Sequence, residues 1–144
     1  MKSFNIEKGI KKIRKTAVYI GVLEESASYI YESGATLKEV ATYMNFGTDK
    51  APARNFVSLP FEIKRQNLKQ TQKKLLKGDF DPAKTINLLG EYGRNIVLEA
   101  FESGGFGLWS QDAPATIEKK GSSQILIDTG TLMSAIGYTV VNNV

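Results

Sequence analysis

Ile127-Asp128-Thr129-Gly130, led in by Ile125-Leu126, is the stretch of this chain whose residue types come nearest to bond chemistry. Asp-Thr-Gly after an apolar strand is how aspartic proteases present a carboxylate, and two such groups share a site so that one stays protonated. A single copy of the motif would need a homodimer to supply the second aspartate. Residues 131–144 are too few for a substrate flap and the second half of a protease lobe. They also lack the later glycine-containing strand that braces such a loop. The residues favour a structural reading, in which Asp128 or Thr129 caps a short helix and Gly130 permits a tight turn.

Other chemistry is scarcer still. The chain has no cysteine and no histidine. That removes disulfides, thiolate nucleophiles, imidazole bases and nearly every structural zinc site. No run of carboxylates has the spacing of a calcium loop. Gly104-Gly105-Phe106-Gly107 is glycine-rich, but no strand leads into it and no Lys-Ser/Thr pair completes it, so it reads as a connector rather than a phosphate loop. We therefore expect no catalytic, cofactor-binding or metal-binding residue and no enzyme activity.

What remains are groups suited to contacts. Arg54, between Pro52 and Phe56, suits a bidentate pair with a carboxylate across a subunit contact. Trp109 is the single tryptophan and sits in a glycine-rich loop, where an aromatic anchors the loop onto the body or onto a neighbour. Six of the 19 basic residues fall in residues 1–15, and six more, Lys64, Arg65, Lys69, Lys73, Lys74 and Lys77, fall in 61–77 against only Glu62. With a net charge of +4, the clustering carries more meaning than the total. Basic clusters suit nucleic acid or an acidic protein surface, and the plain alternative is a solvated helix face.

The elements that must hold these groups read as follows. Ile6, Ile10 and Ile13 make one stripe of an amphipathic helix over 4–15. Thr16 to Leu23 is β-branched and aromatic, as strands are. Glu24 to Gly34 reads as a loop, with Tyr29-Ile30-Tyr31 able to extend a strand edge. Thr36 with Glu39 is a capping box for a helix through Leu37, Val40, Ala41 and Met44, stopped at Gly47. Pro52 and Pro60 keep 51–59 extended. Phe61, Leu68 and Leu75 then stripe one basic helix over 61–77, ended by Gly78.

Asp81-Pro82 starts a third helix, with the stripe Ile86, Leu89, Gly93, Ile96, Val97, Ala100. Gly90 and Gly93 inside it imply close packing of another element or a mild kink. A loop follows over about 103–124, then Ile125-Leu126-Ile127, a helical turn at 132–136 and a strand at 138–141. The order predicts a single α+β domain over 1–144: a small, mostly antiparallel sheet packed against long helices. An apolar fraction of 42% suits a packed core at this length. The longest nearly apolar stretch, Ala17 to Leu23, is far short of the roughly 20 residues a membrane span needs. We expect no membrane partner, and use in a cytosol or in an assembly built there.

Two segments together resemble a known family. The first is Tyr43-Met44-Asn45-Phe46-Gly47-Thr48 after Val40-Ala41, followed by Pro52-Ala53-Arg54-Asn55-Phe56. The second is Trp109, then Thr116-Ile117-Glu118-Lys119, then Leu126-Ile127-Asp128-Thr129-Gly130-Thr131-Leu132 with Ser134 and Ile136. In order and spacing over about residues 17–141 this resembles the tail-completion, or neck, proteins of tailed bacteriophages. Asn45 stands where a glutamate is frequent, and Asn55 where a second proline is expected.

The resemblance implies a non-enzymatic structural protein of the virion neck, assembled in the host cytoplasm as a subunit of a ring, expected to be a hexamer. Its partners would be itself and tail-terminator, tail-tube or head-closure proteins, with non-specific contact to DNA in the channel. A tail-terminator ring is the nearest alternative; a DNA-binding accessory protein using its basic helices is a further one. The candidate interface residues are Arg54, Phe56, Lys64, Arg65, Lys69, Lys73, Lys74 and Trp109. Gly47, Asp128, Thr129 and Gly130 serve turns and caps.

Overall fold

The computed structural model describes residue 11 and residues 13–77, 80–110 and 130–144. The chain is an α+β fold with one two-stranded antiparallel sheet and one long helix among the described residues. Strand β1 (Thr16–Val22) pairs along its whole length with β2 (Ile136–Asn142), from Thr16 opposite Asn142 to Val22 opposite Ile136. Between them come α1 (Glu24–Ala27), α2 (Leu37–Phe46), α3 (Leu59–Ile63), α4 (Arg65–Leu75), α5 (Pro82–Ser103) and α6 (Gly130–Ala135).

Helix α5 carries the fold. Asp81 caps it, its Oδ1 accepting from the N–H groups of Ala83 at 3.0 Å and Lys84 at 3.4 Å, while Pro82 occupies the first turn, where a missing N–H is harmless. Gly104 ends it in the left-handed conformation at φ 63°. Asp81→Ala should therefore lower stability by about 1 kcal/mol in a urea titration, leaving the fold unchanged. The buried face includes Thr85, Ile86, Gly90, Gly93, Ile96, Val97, Ala100 and Phe101. Of the expected stripe only Leu89 is less than fully buried. Both interior glycines lie under the sheet. A Cβ on Gly90 would fall on the Tyr138 ring of β2, and one on Gly93 on the end of Ile20 in β1. Close packing, rather than a kink, accounts for them.

Four expectations are corrected. Residues 24–27 form a one-turn helix, not a loop, with Glu24 and Glu25 in its first turn where the helix dipole favours acids. The stretch expected to stay extended to 59 does so only to Phe56, Ser58 already being helical in backbone and Leu59 opening a helix, and it joins no sheet; its one bridge is Thr48 with Ala51, and Pro52 has no N–H to give a ladder. The basic helix is two helices, starting at Leu59 and breaking at Lys64, whose ψ of 13° closes α3 before α4 begins. Ile136 belongs to β2 rather than to the preceding helix. The capping box of α2 is formed as read, with Thr36 Oγ1 accepting from Glu39 N and Glu39 Oε2 from Thr36 N. Most of the expected helix 4–15, Gly78, Asp128, Thr129, Ile125-Leu126-Ile127 and the loop beyond Ser110 lie outside the described residues.

The core sits between α5, the sheet and the ends of α2 and α6. Leu37, Phe56, Val97, Phe101, Leu132 and Ile136 are each essentially sealed from water. Burying a side chain of this size is worth about 1.5–3 kcal/mol, so these six hold the layers together.

Candidate functional site

The candidate residues divide between the inside of the molecule and one helix. Phe56 is 1% exposed and its ring lies 5.1 Å from that of Phe101. Trp109 is 7% exposed and meets the other side of Phe101 edge-on, with centroids 6.0 Å apart. Both are core residues of their own chain, which corrects their reading as interface side chains. Trp109 anchors the 104–110 turns onto the body. Gly105 makes room for it, since a Cβ there would fall on the indole ring. The indole Nε1 is buried and has no hydrogen-bond partner among the described residues.

Arg54 is half-buried, and its Nε donates to the Ser110 carbonyl at 3.3 Å. Its backbone N–H donates to the Met44 carbonyl at 2.8 Å. It thus ties the extended segment both to α2 and to the turns after α5. Lys64 is likewise engaged at home. Its ammonium pairs with Glu99 of α5 at 3.0 Å and lies 5.4 Å from the centre of the Phe106 ring. Gly47 caps α2 at φ 77°, where a Cβ would also meet the backbone of Ala53. Gly130 is the first residue of α6.

Arg65, Lys69, Lys73 and Lys74 stand exposed on α4, with Lys77 just beyond its end. Among the described residues none of them has an ion pair. No residue of α4 is fully buried, although Leu68 and Leu75 are half-covered. Beneath α4 opens a groove of about 800 Å³, floored by Ile20, Ile86, Leu89 and Gly93 and flanked by Phe61, Arg65 and Leu68. Among the described residues, α4 thus lies along one wall of a mostly apolar groove.

Sequence reasoning missed a second surface. Tyr29, Ile30, Tyr43 and Phe46 are large apolar residues that stand exposed, Phe46 at 74%. Phe46 lies nine residues after Leu37, about half a turn from the buried stripe of α2, a signal present in the helical spacing. Nearby, the Tyr31 hydroxyl is buried without a hydrogen-bond partner among the described residues, and burial, aided by Tyr29, pushes its pKa above the ordinary tyrosine value. The two rings meet edge to face, 5.3 Å apart.

Among the described residues no group of three His, Cys, Asp or Glu side chains could hold a metal ion, and no helix is long and apolar enough to cross a membrane. No family model, curated protein or solved structure matches the chain.

Proposed function

We propose that this chain is a structural neck protein of a tailed bacteriophage, a ring subunit that completes the tail for joining to the head. The observation that carries the reading is the convergence of the two resemblance segments on one core. Phe56 from the first, Trp109 and Leu132 from the second, belong to the same buried cluster. Arg54 of the first segment reaches the carbonyl next to Trp109. Residues of those motifs thus act as braces, which is the role a non-enzymatic building block requires of them. The partners are further copies of the chain in a ring, taken to be a hexamer, and tail-terminator, tail-tube or head-closure proteins. Its place is the virion neck, reached by assembly in the host cytoplasm.

A second reading, a DNA-binding accessory protein, is favoured by the unpaired cations of α4. Phosphate contacts release counterions, so duplex binding by this route falls steeply with salt. Sub-micromolar binding of short duplex DNA with a strong salt slope would favour that reading over the structural one. Replacing Lys69, Lys73 and Lys74 together by glutamine tests the role of the helix. Exposed charges contribute little to stability, so thermal unfolding should change by no more than about 1 kcal/mol. Head joining, measured as infectious particles after complementation, should fall. Wild-type titre from the triple variant would reduce α4 to a solvated face.

A further inference from the structure

Two runs of like charge stand apart in this chain, and among the described residues only one of their groups, Lys64, has an ion pair. From residue 64 to 77 the chain carries six cations and no carboxylate, and only Lys64 has an ion pair. From residue 24 to 39 it carries Glu24, Glu25, Glu32 and Glu39 against Lys38 alone, with no ion pair to any of them among the described residues. The acidic residues share one unit, because α1 packs on α2 and an Ile30–Thr36 bridge closes the turn between them. That unit also bears the exposed Tyr43 and Phe46. The basic helix, in turn, lines the mostly apolar groove with Arg65, Leu68 and Gln72, beside Glu62 of α3, while its lysines stand on the exposed surface next to it. One surface is acidic with protruding aromatics; the other is basic beside an apolar recess.

We infer that the α4 groove is the docking site for the α1–α2 unit of a second copy of this chain. The match is of two kinds at once. Glutamates of one copy meet the unpaired cations of α4 on the next, and exposed aromatics of α2 meet the groove that α4 overhangs. Charge sets register and partner choice, and the apolar contact supplies the buried area. Because the two surfaces differ, the contact is head-to-tail, and repeating it closes a ring if the rotation per copy allows. The inference deepens the neck reading by naming which surfaces join. It also gives α4 a protein partner instead of DNA.

Sedimentation velocity of the purified full chain tests this through charge reversal. Wild type should self-associate into multiples of its 15.9 kDa mass, more weakly at high salt as screening grows. K69E/K73E/K74E alone should weaken association by on the order of tenfold or more, and so should E24K/E25K/E32K alone, each now presenting like charges to itself. Mixing the two variants should restore it, because each supplies the face the other needs. Phe46→Ser should weaken it without altering its salt dependence. Circular dichroism would show each variant folded, since every changed side chain is exposed. A wild type that stays monomeric would overturn the inference, as would variants that associate normally or a mixture that fails to recover. A monomeric wild type whose α4 variant loses only duplex DNA binding would assign the helix to DNA. None of these outcomes would by itself remove the neck reading, which is decided on assembled particles.

Discussion

Phe101→Ala should destabilise the protein by about 3–5 kcal/mol, the range for deleting a fully buried phenylalanine from a core that cannot collapse around the gap. Phe101 is 0% exposed, near the C-terminal end of α5, with Phe56 on one side and Trp109 on another. Its ring is the only described aromatic that touches both. Removing it leaves two large rings without their shared partner and loosens the extended 51–56 segment and the 104–110 turns together. Against a typical margin of about 5–15 kcal/mol the loss is severe, and a fall of the melting temperature by roughly 10 °C or more should accompany it. Urea and thermal unfolding followed by tryptophan fluorescence read the two, because Trp109 is the sole tryptophan. A loss below about 1 kcal/mol would mean that these aromatics do not form the hub described.

Gly90→Val attacks the other side of α5. The new Cβ would lie on the ring of Tyr138, which is further tied by its hydroxyl donating to Asn87 Oδ1 at 3.0 Å. A ring held at its tip has little freedom to withdraw, so β2 must shift or the helix must lift. Overpacking of this kind costs about 1–3 kcal/mol, more than the few tenths that valine recovers over glycine in helix propensity. Gly21→Ala is the matched control. Its Cβ would meet nothing within 4 Å, and alanine in a strand is favoured over glycine by about 0.5–1 kcal/mol. Unfolding free energies should move in opposite directions for the two variants. Equal tolerance of both would show that the sheet does not press on α5 at Gly90.

Local signals told most of the helices. Thr36 with Glu39, Asp81 with Pro82, and Gly104 are each set by chemistry within a few residues, and each does in the fold what its type suggests. The start of β1 was legible from its β-branched residues, but its partner lies at the far end of the chain, with Thr16 opposite Asn142. Only tertiary packing decides that pairing. The break at Lys64 was hidden because residues 61–77 are good helix formers and the spacing of Phe61, Leu68 and Leu75 runs through it. At the break, α3 packs against α5 and Lys64 pairs with Glu99, contacts that local helix propensity does not encode.

The candidate surface was legible in half. Lys69, Lys73 and Lys74 fall within one short run of sequence and all stand exposed on α4, so composition found them. Phe56 and Trp109 sit in irregular segments with no periodicity to say which way they point, and both turn inward. The acidic surface was missed for the converse reason. Its carboxylates are spread over α1, a turn and α2, and fall together only once α1 folds onto α2.

The central claim, a structural role at the neck, is most directly tested by negative-stain imaging of phage particles assembled without this protein. The account predicts filled heads lacking tails beside free, full-length tails, with joined particles returning when the wild-type chain is supplied. Joined, infectious particles in wild-type number in its absence would contradict it.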